Sequence, residues 1–354
     1  MIDQVGEVAA LGLRQGSFEP QPVDEARWDE LLRAVDEQRL VGVLARGVEA
    51  GEVLVDDAQY ERLAELQRQA AATDLELERR LVRWCQALDV ADVDHRVLKG
   101  AALAHLAYDD PSLRSFGDID LLVRPDQLTA AVGALASAGL RRRSPEVRHG
   151  FDARFGKGTT LVDDAGWELD LHRMLATGPY GHLARVGDLF GDAMPLDVGG
   201  ARLPALPLPD ALLVACCNAV LGDAVPRWVP LRDVAVLARS TSARFDEVHD
   251  RATRWGIEAV VAGAVTTAWG RLALTDRPPV VDWAMSYRCS ARDQRWLALY
   301  GEQRSYAQLA FASLQALPSW RDRVAFSAAL TFRQEGSPGR PPRERVRRAV
   351  GVLT

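Results

Sequence analysis

Three acidic residues in two short apolar segments have the spacing of a metal-binding site. Asp118 and Asp120 are separated by one residue, in an otherwise apolar run that extends to Val123. Because side chains alternate between the two faces of a strand, both carboxylates are expected to project to the same side. Neighbouring carboxylates on a buried strand repel each other and lose hydration unless a cation lies between them. A third acid, Asp170, lies in a second strand-like run, so the sequence predicts a divalent metal site formed by three carboxylates.

Basic and glycine residues upstream of the aspartate pair are of the type that binds phosphate. Lys99 and Gly100 lie between a predicted strand and a predicted helix at 101–108, and Arg114 comes shortly before Asp118. Glycine permits a tight turn there, and the N–H groups at a helix N-terminus favour an anion. We therefore predict that Lys99, Gly100 and Arg114 bind phosphate, Lys99 as a point charge and Arg114 as a fork of donors.

Two further motifs leave alternatives open. His172 follows Asp170 by two residues and is expected to orient Asp170 or the acceptor, or equally to be a hydrogen-bonded structural histidine. The segment 156–160, Gly-Lys-Gly-Thr-Thr, fails as a P-loop because Lys157 is followed by Gly158 and not by Ser or Thr. A solvated turn is predicted there, from which Lys157 could lean towards phosphates in the same cleft.

The chemistry that such a site supports is phosphoryl or nucleotidyl transfer. An oxygen-rich set of three carboxylates favours Mg²⁺ or Mn²⁺ over zinc, which prefers His and Cys. Two such ions can activate an attacking hydroxyl and neutralise a triphosphate and its leaving pyrophosphate. In this interpretation Asp118 and Asp120 bridge the ions, while Asp170 completes the ion that activates the hydroxyl and accepts its proton.

The elements that must position these residues are short strands alternating with helices, followed by a strand meander. Amphipathic helices are predicted before them, at 28–88, and after Pro209, while residues 173–203 are interpreted as an irregular connection. The order predicts an α+β fold, in which a small mixed sheet with flanking helices lies between helical N- and C-terminal regions. The predicted strands are 95–98, 118–123, 140–143, 151–155, 159–162 and 167–172, and the predicted helices among them are 101–108 and 127–138.

Composition and charge narrow the class of partner. The 354 residues are 48% hydrophobic and 26% charged, and the net charge of −6 makes a long nucleic acid an unexpected partner. No signal-peptide pattern or membrane-length apolar run is present, so a cytoplasmic protein without membrane contact is expected. The four cysteines form no C-x-x-C pair and are predicted to be free thiols in a reducing compartment.

The motifs V-L-K-G, L-R-S-F-G-D-I-D-L-L-V and E-L-D-L-H together resemble an uncharacterised bacterial nucleotidyltransferase family. That family lies within the polymerase-β-like nucleotidyltransferase superfamily, whose members use Mg²⁺ and nucleoside triphosphates. The resemblance implies that Lys99, Gly100 and Arg114 bind the nucleotide and that Asp118, Asp120 and Asp170 hold the metal. The implied regions are a helical N-terminal region (1–90), a nucleotidyltransferase core (91–175), a helical C-terminal domain (176–335) and a basic Pro/Arg-rich tail (336–354).

The resulting hypothesis is a Mg²⁺-dependent transfer of an NMP from an NTP to a hydroxyl or phosphate of an unidentified small-molecule or peptide/protein acceptor. One alternative is a non-catalytic protein of the same fold that binds a nucleotide or a partner. A less favoured alternative is a D-x-D glycosyltransferase, which would need a larger Rossmann-like region upstream, where this chain is predicted to be helical.

Overall fold

A seven-stranded mixed sheet forms the centre of the protein. The computed structural model describes residues 2–14, 24–146, 149–301, 305–317 and 319–331. The strand order is β3-β4-β5-β2-β1-β7-β6, in which β2 is parallel to β5, β1 is parallel to β7, and the other neighbours are antiparallel. The strands are β1 (His95–Leu98), β2 (Ile119–Val123), β3 (Arg141–Arg142), β4 (Gly158–Val162), β5 (Glu168–His172), β6 (Met194–Val198) and β7 (Ala201–Ala205).

Helices precede and follow the strands along the chain, which confirms the predicted α+β class. The longest, α4, has 34 residues and begins with a capping box between Asp56 and Gln59. The helices are α1 (Ile2–Ala10), α2 (Glu25–Glu37), α3 (Val41–Glu49), α4 (Asp57–Val90), α5 (Lys99–Leu106), α6 (Leu128–Ser137), α7 (Phe151–Arg154), α8 (Pro179–Leu183), α9 (Leu208–Leu221), α10 (Trp228–Ser240), α11 (Phe245–Trp255), α12 (Glu258–Arg271), α13 (Pro279–Ser286), α14 (Ala291–Ala298), α15 (Tyr306–Ala316) and α16 (Trp320–Thr331). Short 3-10 helices lie at Pro111–Leu113, Val186–Phe190 and Ser242–Arg244.

The two faces of the sheet bury different partners. The side chains of Ile119, Leu121 and Val123 share a buried cluster with residues of α4 and α6. Leu122 belongs instead to the larger cluster that contains the C-terminal helices. Because neighbouring residues of a strand face opposite ways, Asp120 lies on the same face as Leu122, opposite α4 and α6.

Two predicted elements were wrong. Residues 151–154 form the short helix α7 and not a strand. The segment 173–203, predicted to be irregular, contains α8 and most of the β6–β7 hairpin, and β7 adds a strand beside β1. The hairpin turns at Gly199 and Gly200, both at positive φ, which suits a two-residue hairpin turn. The sheet therefore extends past residue 175, to Ala205.

Three cysteines, Cys85, Cys216 and Cys217, are buried and Cys289 is partly so; all four are free. Within the described ranges, no helix combines the length and the apolar character that a bilayer crossing requires. The predicted tail at 336–354 lies outside the described residues.

Candidate metal and phosphate site

The register of two parallel strands brings the predicted acids together. Asp120 of β2 is paired with Asp170 of β5, and two residues further on Leu122 is paired with His172. Asp120, Asp170 and His172 therefore lie on one face, and each offers a ligand atom within 4.8 Å of the others. The sequence predicted the two aspartates of this group but assigned His172 only an orienting or structural role.

Asp120 is the most strongly engaged acid of the group. Its Oδ1 lies 2.8 Å from Lys99 Nζ and 2.7 Å from His172 Nε2. Burial opposes ionisation, but the charge of Lys99 and the hydrogen bond from His172 lower the pKa of Asp120 well below its usual range. Asp120 is consequently a carboxylate near neutral pH.

Asp170 and His172 complete the group. Thr160 of β4 donates to Asp170 Oδ1 at 2.6 Å and so fixes the orientation of that carboxylate. Burial and the nearby charge of Lys157 lower the pKa of His172, so its imidazole is neutral near pH 7. His172 is hydrogen-bonded to Asp120, which fits the structural alternative that the sequence left open, while orientation of Asp170 or the acceptor stays a prediction.

Asp118 lies at the rim of the site, one residue before β2 begins. Its side chain is exposed and is not part of the group of three. Loss of hydration within the cleft and the negative charge of Asp120 nevertheless raise the pKa of Asp118. Since Lys99 and Asp170 also act on its carboxyl, Asp118 shares the electrostatics of the site from its edge.

The Lys99–Gly100 turn has an unusual backbone. Lys99 has φ +39° and Gly100 has φ +29°, a conformation that residues with side chains rarely adopt. A Cβ at Gly100 would also lie 3.3 Å from the Phe116 side chain. The turn ends β1, opens α5 and brings the Lys99 amine to Asp120, so the predicted turn is present and is held under strain.

The Arg114 guanidinium is bound to partners within the protein. It is buried and binds Asp233 of α10 with two bonds, Nε to Oδ1 at 2.8 Å and Nη2 to Oδ2 at 2.9 Å, while Nη1 donates to the Ser115 carbonyl at 2.6 Å. Tyr108 donates to the same Asp233 carboxylate. Every guanidinium nitrogen of Arg114 is therefore bound to a protein oxygen, and the side chain joins the sheet region to α10. The phosphate contact of Arg114 stays a prediction.

Two further cations, neither of them among the predicted site residues, lie beside the site. Arg39, between α2 and α3, is half-buried next to Gly117 and acts electrostatically on Asp118. Lys157, before β4, is half-buried and lines a cavity of about 220 Å³ with Thr160, Asp170 and His172, among others. Burial and the charge of Lys99 lower the pKa of Lys157. The predicted turn is present, and its Lys157 side chain is half-buried in the cleft towards which it was expected to lean, not fully solvated.

The sequence signals for these two cations were weak. Arg39 belongs to a segment interpreted as a helical lead-in, and Lys157 to a rejected P-loop pattern. Their proximity to the acids depends on contacts between distant segments. No local spacing encodes such contacts.

The donor set fits a hard divalent cation. Two carboxylates and one imidazole converge, and within the described chain no hydrogen bond reaches Asp120 Oδ2 or Asp170 Oδ2. Carboxylate oxygens are the preferred ligands of Mg²⁺ and Mn²⁺. The charge of Lys99 and the hydrogen bond from His172, both at Asp120 Oδ1, supply the compensating contacts that a buried carboxylate requires.

The mixed sheet, its paired aspartates and the Lys-Gly turn form the arrangement that the sequence motifs predict for a nucleotidyltransferase core. The chain belongs to a family described as uncharacterised nucleotidyltransferases, whose model matches residues 24–269. This confirms the resemblance seen in the sequence motifs. A search of curated proteins finds no match.

Among solved structures, the chain is similar to an antigenic nucleotidyltransferase-like protein from Paracoccidioides brasiliensis. The identity is 14% and the TM-score is 0.34, with 58% of this chain and 97% of that chain covered.

Proposed function

We propose that this protein is a Mg²⁺-dependent nucleotidyltransferase that moves an NMP from an NTP to a hydroxyl or phosphate of a small-molecule or peptide/protein acceptor. The observation that carries the proposal is the register of β2 and β5, which pairs Asp120 with Asp170 beside the Lys99–Gly100 turn. The family match favours this reaction over that of a D-x-D glycosyltransferase. The free thiols fit work in a reducing compartment such as the cytoplasm.

In this proposal Asp120 and Asp170 hold the metal, with Asp118 joining them from the rim. When bound, Mg²⁺ or Mn²⁺ lowers the pKa of the attacking hydroxyl and neutralises charge on the triphosphate and leaving pyrophosphate. His172 holds Asp120 in position through its 2.7 Å hydrogen bond. Thr160 does the same for Asp170, which in the proposed reaction accepts the proton of the acceptor hydroxyl.

The Lys99–Gly100 turn is the proposed phosphate site. Gly100 allows the chain to leave β1 and enter α5 at a positive φ, and the first N–H groups of α5 have no partner within the helix. Lys99 supplies a positive charge next to Asp120. Arg39 is a further cation for the triphosphate, because the structure gives its guanidinium no hydrogen bond within the described residues.

A mostly apolar cleft of about 530 Å³, which reaches Ser115 and Phe116 shortly before Asp118, is the proposed acceptor space. It is lined by α4 and α5 and includes Asp74, whose Oδ1 accepts from the Phe116 backbone at 3.0 Å. Phe116 lies two residues before Asp118, so the cleft and the acidic group are joined by a short stretch of chain. The volume falls in the range of small-molecule pockets.

The test compares two aspartates of the same sheet. Binding of ATP, GTP, CTP and UTP, with and without Mg²⁺, is measured by calorimetry for the unmodified chain, for Asp120→Asn and for Asp197→Asn. Asp197 is exposed on the edge strand β6 and serves as the matched control. We expect metal-dependent binding of at least one NTP, weakened more than about tenfold by Asp120→Asn and unchanged by Asp197→Asn.

A measurement of turnover distinguishes a transferase from a non-catalytic nucleotide-binding protein of the same fold. Metal-dependent pyrophosphate release, lost in Asp120→Asn, is the result expected of a transferase. The proposal is wrong if no NTP binds, or if Asp120→Asn binds NTP and metal as the unmodified chain does. NTP binding without any pyrophosphate release across a panel of acceptors would favour the non-catalytic alternative.

A further inference from the structure

The distribution of lysine in this chain is uneven. Of 43 Lys and Arg residues, only Lys99 and Lys157 are lysines, and all others are arginines. The two lysines come from different segments, one after β1 and one before β4, yet each acts electrostatically on the other and on Asp118, Asp120 and Asp170. The protein therefore keeps its two side-chain amines at one cleft.

The strand order places the two lysines on opposite sides of the acidic group. Asp120 and Asp170 lie on the two central neighbours of the run β4-β5-β2-β1. Lys99 follows β1 and Lys157 precedes β4, so the amines come from the two strands that flank the aspartates. The Lys157 carbonyl accepts from the backbone N–H groups of Arg173 and Met174 at 2.9 and 3.0 Å, which fixes the backbone at this point.

The two amines differ in their partners. Lys99 is bound to Asp120 at 2.8 Å. The side-chain amine of Lys157 lines its cavity without any hydrogen bond or ion pair to the residues that the structure describes. A half-buried ammonium close to a second ammonium is costly, and the nearby carboxylates offset that cost only in part. Such an amine is poised to bind an anionic group of a ligand.

The ligand chemistry follows from the neighbourhood. A cation beside a carboxylate metal site meets the phosphate oxygens that a bound metal also contacts. Lysine places a compact, strongly hydrated point charge on a flexible stem, whereas arginine presents a planar fork. A chain that otherwise uses arginine at every basic position thus has a physical reason to retain lysine here.

We propose that Lys157 is a second polyphosphate-binding residue, which together with Lys99 holds the β- and γ-phosphates of the NTP, or the pyrophosphate product, from both flanks of the Asp120–Asp170 pair. The inference rests on the proposed function, since it assigns a further residue to the triphosphate of that reaction. The expected ligand class is an inorganic or nucleoside polyphosphate complexed with a divalent cation.

The scarcity of lysine provides a direct test. Reductive methylation of the full chain with ¹³C-formaldehyde introduces labels at Lys99, Lys157 and the terminal amine only. Lys99→Arg and Lys157→Arg assign the two side-chain signals in NMR spectra. Titration with inorganic pyrophosphate and Mg²⁺ is expected to shift both lysine signals, and Mg²⁺ alone is expected to shift the Lys157 signal less.

Binding measurements provide the second readout. Lys157→Gln is expected to weaken pyrophosphate binding by at least about tenfold, the effect of losing roughly one charge-assisted contact, and to leave Mn²⁺ binding in the absence of phosphate within about twofold. Arg202→Gln, at an exposed position of β7, is the control and is expected to change neither. Circular dichroism spectra of the variants confirm that each is folded.

The outcomes separate the two proposals. If pyrophosphate shifts the Lys99 signal and not the Lys157 signal, or if Lys157→Gln binds pyrophosphate normally, the assignment of Lys157 is wrong while the proposed function stands. If neither signal shifts and no NTP binds, both proposals are wrong.

Discussion

Arg114 shows how one residue can fit a sequence motif and occupy another role in the structure. The motif placed it among the phosphate-binding residues, whereas its guanidinium forms a two-bond ion pair with Asp233 inside the protein. A buried ion pair of this kind stabilises the fold only while both partners are present. Removing one partner leaves the other as a buried charge without a counter-ion. The primary effect of changing Arg114 should therefore be on stability.

We predict that Arg114→Lys lowers the free energy of unfolding by about 3 kcal/mol, because an ammonium cannot replace both bonds to the Asp233 carboxylate. Arg143→Lys is the matched control, since Arg143 forms an exposed pair with Glu168 and the same change there should cost less than about 1 kcal/mol. Urea unfolding at pH 7 measures both. Unchanged stability of Arg114→Lys, combined with weaker NTP binding, would instead indicate a direct phosphate contact.

At the scale of elements, the site depends on how closely β4 and β5 approach each other. Gly158 begins β4 opposite His172, and a Cβ at this position would lie 2.0 Å from the Leu171 carbonyl oxygen. Because that neighbour is backbone, the strands must move apart to accept a side chain. The same pair of strands carries the Thr160–Asp170 hydrogen bond, so the strand pairing and the site geometry are coupled.

Gly158→Ala is accordingly expected to lower the free energy of unfolding by about 2 kcal/mol through overpacking and to weaken metal binding. Gly133→Ala is a suitable control, because Gly133 is exposed in α6 with no atom within 4 Å of its added Cβ. That change should be neutral or stabilising by up to about 1 kcal/mol, since alanine favours the helix. Thermal unfolding and Mn²⁺ titration test both effects, and wild-type behaviour of Gly158→Ala would contradict the geometry.

At the scale of the whole molecule, α4 connects the N-terminal helices to the sheet through Asp74. Burial raises the pKa of Asp74 to about 6, although the Phe116 N–H and Ser115 partly oppose this. In the unfolded chain an aspartate ionises near pH 4. Between pH 4 and 6 the folded protein therefore binds more protons than the unfolded one, and Asp74 makes the free energy of unfolding fall as pH rises.

Asp74→Asn removes this ionisation and retains an oxygen that can accept from Phe116. The variant is expected to gain stability relative to the unmodified chain as pH rises from 4 to above 6, by roughly 2 kcal/mol in total. Glu61→Gln, at an exposed position of α4, is the control. Its free energy of unfolding plotted against pH should run parallel to that of the unmodified chain. Urea unfolding across this pH range tests the prediction. If the free energies of unfolding of Asp74→Asn and of the unmodified chain change in parallel with pH, the pKa of Asp74 is not raised.

The locally encoded elements could be predicted from the sequence. The apolar run after Asp118 and the run before Lys99 became β2 and β1, and the alternation of side chains correctly indicated that Asp120 faces away from Ile119. Asp170 was predictable as its partner because a second strand repeated the pattern of an acid among apolar residues. In each case a period of two residues carries the information, and that period depends on strand geometry alone.

Only the tertiary structure decided which charged groups meet. The Arg114–Asp233 pair joins positions 119 residues apart, and the approach of Lys157 to Lys99 depends on the order of four strands. The Gly-Gly pair between β6 and β7 indicated a turn, but Pro195 and Pro204 favoured an irregular segment. In the structure these two prolines are paired with each other in the hairpin at the edge of the sheet, where strand proline is tolerated. Long-range electrostatics follow from packing, and packing is set by the whole chain at once, so no local pattern could have specified these contacts.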